Sequence, residues 1–415
     1  MNKLDFWMRF SVINFAVVAL LGVLMRYKIA FSLPMLDQKH LQEAHSHFAF
    51  YGWVTQVIYV LVLRYLVKNN ATADLQKYKV LLWINLAASY LMVVSFVYGG
   101  YFWLSIAAST AALLVSFVML YYLSRDFKAV TEFSKHWFIA GLWFAALSSI
   151  GVFTLSFMTA TDQLSQTLYL ASTYYFLHFQ YNGFFIFSCI GLLVSRLNHY
   201  GAGLPIEKHR MIFILMVLGC IIGFGLSVLW MNLPLWLLLI ITLGTIAQTV
   251  ASFILFQSII AQWNLITKRI SKTQQLVWIY VGFAFAVKIL LQLGSNIPQV
   301  SEFAFGFRNV VIAYLHLVLL MCISIYLLNE ILATNRFGFS KSMCIGLYIV
   351  LVGIVLNEAV LGLMGVLSIK YIALPNSQYM LFAISVLILL GLLLMVYAMY
   401  RTEKKPHTTA ASQNT

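Results

Sequence analysis

Stretches of about 20 apolar residues recur from one end of this 415-residue chain to the other, and few folds can accommodate them. About 20 residues of helix cross the hydrocarbon core of a bilayer, where every backbone N–H and C=O must be satisfied within the protein. Twelve stretches are read, at roughly 8–30, 41–67, 78–99, 101–124, 136–160, 168–195, 210–231, 234–260, 275–295, 304–330, 342–368 and 378–401. The predicted fold class is therefore all-α, a polytopic membrane bundle of twelve transmembrane helices filling residues 1–401. The polar run 402–415, with Lys404, Lys405 and Pro406, is expected to be a disordered cytoplasmic tail. With 62% hydrophobic and 9% charged residues, the composition excludes a soluble domain, and no stretch is left for a soluble catalytic unit. Arg9 precedes a long apolar run without a small-residue cleavage pattern, so a spanning helix is expected there and not a leader peptide.

Charge placement sets the expected orientation. With the N-terminus placed in the cytoplasm, only Arg26, Lys28, Lys39, Arg308 and Lys370 of the 26 basic residues fall outside, and Lys288 falls within a span. That asymmetry obeys the positive-inside rule and puts both termini in the cytoplasm. The net charge of +14 then reflects topology and not a nucleic-acid footprint, and the partner implied is membrane lipid. A bacterial inner membrane is the expected location. Cys189, Cys220, Cys322 and Cys344 lie in or at the ends of spans without paired spacing and are read as small buried hydrophobes. No internal repeat is visible in the sequence.

Nine histidines are present, and depth separates them. His199, His209 and His407 sit in cytoplasmic segments, His136 begins span five on that side, and His40 is at the outer mouth of span two. His45, His47, His178 and His316 lie within spans two, six and ten, which run in the same direction if spans alternate, so their imidazoles share the outer leaflet. Polar groups at that depth are costly and tend to be functional. His45 and His47 are about 200° apart around a helix, so only one can face a given cofactor. The other must meet headgroups, a propionate or a neighbouring helix. His178, flanked by Tyr174, Tyr175, Gln180, Tyr181 and Asn182, reads either as a metal ligand or as one member of a polar network between helices. For His45 and His316, ligation is the preferred reading over cross-helix hydrogen bonding.

Twelve spans with histidines on the second, sixth and tenth resemble the haem-copper oxidase subunit I superfamily, which includes the nitric oxide reductase large subunits. The segment Ala44-His45-Ser46-His47-Phe48-Ala49-Phe50-Tyr51-Gly52-Trp53 is similar to the family's helix-two motif, and Ala313-Tyr314-Leu315-His316 to its helix-ten His-x-His motif with the second His retained. The resemblance implies a low-spin haem held between His45 and His316. Two departures limit what else it implies. Tyr314 stands where the His of the high-spin haem would be, and span seven has no histidine to complete a copper site with His178. Copper and terminal oxidase activity are therefore not expected. One bis-histidine haem b remains, six-coordinate and suited to electron transfer. Arg308, eight residues before His316 and about 12 Å nearer the outer surface, and Arg26 on span one are the candidate propionate partners, against a bland reading as interfacial snorkelling.

Two further ionisable residues lie within spans. Lys288 in span nine and Glu358 in span eleven are each past the middle of a span running outward, and they are expected to pair. Such a pair would serve as a pathway element or as a lock between helices. Three functions follow. The first is a degenerate haem-copper oxidase-like b-type cytochrome in electron transfer, with a respiratory or nitric oxide-related role and a quinol or membrane redox partner. The second is a cofactor-free transporter or channel with His178, Lys288 and Glu358 along a polar path. The third is a scaffold subunit that kept the fold and lost the chemistry.

Overall fold

The computed structural model describes residues 2–403, apart from 71, 164 and 335–337. It is all-α, with twelve helices long and apolar enough to cross a membrane. They are α1 (Leu4–Phe31), α2 (Gln38–Asn69), α3 (Gln76–Gly99), α4 (Trp103–Ala129), α5 (Lys135–Ala160), α6 (Gln166–His199), α7 (Ile206–Val228), α8 (Leu235–Ala261), α9 (Lys272–Gly294), α10 (Arg308–Ala333), α11 (Lys341–Ser368) and α12 (Ser377–Arg401). The chain is consistent with an integral, polytopic membrane protein. From residue 404 on, the expected tail lies outside the described residues.

The start of the tenth span differs from the expectation. A short helix, Pro298–Gly306, precedes it, and Phe307 adopts an extended conformation (φ −125°, ψ 116°) before α10 begins at Arg308. Pro298 occupies the first turn of the short helix, where its missing N–H costs nothing. Elsewhere caps define the entries. Asp37 accepts from the backbone N–H groups of Lys39 and His40 to start α2, and Ser165 and Ser271 do the same work for α6 and α9. Between α3 and α4 the chain turns at Gly100, whose φ of +62° and closeness to the His40 ring leave no room for a side chain.

Helices α2 and α6 occupy the centre, buried over 89% and 83% of their hydrophobic stretch, whereas α9 and α12 are buried over only 28%. Large apolar residues such as Trp143, Leu243, Phe283 and Leu390 point outward from the peripheral helices, as a lipid-facing surface requires. Twelve crossings return the chain to the face on which it started, here termed the terminal face. The opposite face carries the starts of all even-numbered helices.

Helices α2, α6 and α10 share a rare feature. Each widens into a π-helical stretch directly after a histidine: Phe48–Thr55 after His47, Phe179–Phe185 after His178 and Leu317–Ser324 after His316. π-Helical turns leave carbonyls displaced from the usual ladder and occur often at functional sites. In α2 two carbonyls of the stretch accept from side chains of neighbouring helices. Asn14 of α1 donates to Gly52 O (2.6 Å) and Asn85 of α3 donates to Tyr51 O (3.0 Å). Tyr90 Oη donates in turn to Asn14 Oδ1 (2.8 Å), and Asn85 Nδ2 donates also to Gln56 Oε1 (2.7 Å). Trp53 Nε1 donates to Ser324 Oγ (2.8 Å), joining the π-helical stretches of α2 and α10. The spacing of four helices between these stretches is a structural recurrence that the sequence did not reveal.

Candidate histidine site between α2 and α10

Seven residues separate His45 from the first residue of α2, and eight separate His316 from the first residue of α10. At 1.5 Å per residue both imidazoles sit about 10–12 Å from the helix starts, whereas His178, twelve residues into α6, is about 18 Å along. The first two therefore share a depth, and the third lies deeper.

Hydrogen bonds fix how each ring is presented. His45 Nδ1 meets Val18 O of α1 at 3.1 Å, and His316 Nδ1 meets Ile312 O, one turn back on its own helix, at 2.9 Å. A carbonyl only accepts, so both Nδ1 atoms carry the proton, and in the neutral ring each Nε2 then carries a lone pair. Among the described residues neither Nε2 has a hydrogen-bond partner. The His45 ring passes Gly22 of α1, where a side chain's Cβ would come within 3.5 Å of its Cε1. The two imidazoles are electrostatic neighbours of each other and of Arg26.

His47 turns the other way. Its Nδ1 donates to Glu43 O (2.9 Å), its Nε2 accepts from Tyr101 Oη (3.2 Å), and its ring packs on Phe96 with centroids 4.3 Å apart. Both ring nitrogens are used, and the residue ties α2 to α3 and the turn that follows it. His178 is similarly satisfied: Nε2 donates to Cys220 O of α7 (2.8 Å) and Nδ1 accepts from Asn182 Nδ2 (3.2 Å). The structure thus places His178 in a polar network, with neither nitrogen left to bind a metal in this arrangement. Among the described residues no group of three or more His, Cys, Asp or Glu side chains is arranged to hold a metal ion.

Arg26 and Arg308 come together on the opposite-face side of the histidine pair. The guanidiniums are electrostatic neighbours, and Arg308 Nη2 donates to Gln42 Oε1 of α2 at 3.1 Å. Glu358 of α11 also belongs here. Its Oε1 accepts from Asn357 Nδ2 (3.1 Å), and its cationic neighbour is Arg26. The expected pairing of Lys288 with Glu358 is not formed. Lys288 Nζ is fully buried without a hydrogen-bond partner, and its electrostatic neighbours are Cys220, Cys322 and His178. Equal depth on two helices did not place them on facing sides.

Tyr314 lies edge-on to Tyr181 of α6, ring centroids 6.4 Å apart, and the two hydroxyls are electrostatic neighbours. The pair crosses from α10 to α6 on a different side from the His45–His316 pair. Sequence reasoning missed this pairing, the placement of Glu358 beside Arg26, and the ion pair of Arg196 with Glu330, where Nη2 and Oε2 are 2.5 Å apart. The signal for the last was present: each is a charged residue within about a turn of the end of a central helix.

Two imidazoles on α2 and α10 whose Nε2 atoms have no protein partner, with two guanidiniums on their opposite-face side, are a donor set of the kind that could hold a bis-histidine haem. Nδ1 bonds to carbonyls are the outer-shell contacts that orient such ligands. No protein-family model and no curated protein matches this chain.

Proposed function

We propose that this chain is an integral membrane b-type cytochrome-like protein, a degenerate relative of haem-copper oxidase subunit I that holds one low-spin haem b between His45 and His316. The observation that carries the reading is the matched depth and matched tautomer of the two imidazoles, each with its Nε2 free of protein partners. Supporting it, Arg26 and Arg308 stand beside one another with Glu358 as the neighbouring carboxylate, a local excess of positive charge that two propionates would offset.

A bis-histidine haem, when bound, supplies one-electron transfer without an open coordination position. The residues of the chain do the rest. Val18 O and Ile312 O hold the two rings in one tautomer, and Arg26 and Arg308 would receive the propionates. A partner within or at the membrane, a quinol or a second membrane redox protein, would exchange electrons with such a site. Tyr314 takes no part in ligation, and copper has no role.

The test is a dithionite-reduced minus air-oxidised absorption spectrum of protein expressed with haem supply. A sharp low-spin b-type band is expected in the parent and in His47→Ala, and is lost in His45→Ala and in His316→Ala. Well-folded parent protein without haem would overturn the reading and leave a cofactor-free transporter, channel or scaffold.

A further inference from the structure

A second group of polar side chains lies inside the bundle, unused by the His45–His316 arrangement. Lys288 of α9 is fully buried, and its ammonium has no hydrogen-bond partner. Around it are Cys220 of α7, Cys322 of α10, His178 of α6 and the Phe285 ring, whose centroid is 5.7 Å from Nζ. None of these is a carboxylate. The Cys220 carbonyl already accepts from His178. Farther along α9, one turn toward the opposite face, Gln292 Oε1 is the other buried polar atom of that helix without a partner.

From Lys288 a polar file runs along α10 toward the terminal face. Cys322, Tyr326, Asn329 and Glu330 follow at steps of four, three and one residues, which keeps them on one side of the helix. All four are buried. Cys322 neighbours Cys189 of α6, Cys189 neighbours Glu330, and Tyr326 neighbours Cys189, Glu330, Arg196 and Tyr200. At the end of the file Arg196 donates through Nε and Nη2 to Glu330 Oε2, and both residues stand about one turn from the ends of their helices. Between that ion pair and the buried amine, the Tyr326 hydroxyl and both side-chain polar atoms of Asn329 have no protein partner.

Donors and acceptors left unpaired in a dry interior carry the full cost of their desolvation, and an unpaired ammonium carries the most. Tyr326 and Asn329 lie on one face of α10, between the charged pair near the terminal face and the Lys288 ammonium of α9. A water molecule needs two to four such polar partners, and this face offers them in succession. We propose that the inner half of α10 lines a narrow inlet through which water from the terminal face reaches Lys288, entering beside the Arg196–Glu330 pair and ending at the amine. The proposal goes beyond the cytochrome reading and does not depend on it.

Native Cys322 lies on the file and serves as reporter: its thiolate, which forms only where water reaches it, attacks the thio sulfur of a methanethiosulfonate, giving a mixed disulfide and releasing methanesulfinate. The full chain with Cys322 as its sole cysteine and a C-terminal tag is reconstituted in sealed vesicles. A small, charged, membrane-impermeant methanethiosulfonate is then added from either side. Modification is expected from the side that exposes the tag, about tenfold or more faster than from the other. Lys288→Cys in a cysteine-free background is expected to show the same sidedness, and the Cys322 chain carries the test if that variant does not fold. Equal rates from both sides overturn the proposal, as does protection from both sides while detergent-unfolded protein labels fully. Neither result touches the haem spectrum, so the two readings fail separately.

Discussion

At the scale of single residues, hydrogen bonds decide roles that residue type leaves open. His45 and His47 are two positions apart in one segment, and both place Nδ1–H on a carbonyl. What separates them is the second nitrogen, engaged by Tyr101 in His47 and free of a protein partner in His45. The same reasoning reassigns Glu358. If Arg26 and not Lys288 is its cationic neighbour, a double-mutant cycle in detergent-solubilised protein gives a definite pattern. Lys288→Met and Glu358→Gln should add to within about 0.5 kcal/mol, whereas Arg26→Leu and Glu358→Gln should show a larger coupling. Coupling above about 1 kcal/mol between positions 288 and 358 would put those two side chains in contact after all. Depth along a helix was legible in the sequence, since it needs only a count of residues. Azimuth was not, because the helix faces are set by packing among helices distant in sequence.

At the scale of elements, α2 shows why a helix departs from the regular ladder. Its π-helical stretch, Phe48–Thr55, is rich in aromatic residues, and nothing in that run of residues announces the change of winding. Side chains of other helices reach into it. Asn14 and Asn85, both fully buried, donate to Gly52 O and Tyr51 O, so two carbonyls of the stretch are held from α1 and α3. A buried acceptor that loses its donor costs about 1–3 kcal/mol. Asn14→Leu and Asn85→Leu are each expected to lower stability by about that amount, read as a drop in thermal midpoint in detergent. Asn14→Ser, too short to reach Gly52 O, should behave like Asn14→Leu. Should either leucine variant match the parent, the π-helical winding would have to be held by packing alone. The existence and number of the spans needed no such partners and were readable from hydropathy, apart from the break at Phe307 that moves the start of α10.

At the scale of the whole molecule, α10 is fastened to the two central helices near both faces by different means. Toward the opposite face, α10 meets α2 through Arg308 and Gln42, an exposed contact of small energetic weight. Near the terminal face, α10 meets α6 through Arg196 and Glu330, whose side chains are 15% and 4% exposed. Desolvating both charges makes such a pair a weak source of net stability, but removing one partner strands the other. Arg196→Met or Glu330→Leu alone is therefore expected to cost about 3–5 kcal/mol, while the double replacement by apolar residues should recover most of that loss. Thermal unfolding of the four proteins in the same detergent measures both quantities. If the double variant is as unstable as the singles, the pair acts through more than its mutual charge, as the neighbouring Tyr326, Tyr200 and Arg64 would allow. Recovery in the double variant together with lost one-sided labelling of Cys322 would separate the two roles of the pair. It would then be dispensable for holding α6 against α10, yet required as the mouth of the inlet that runs along α10 to Lys288.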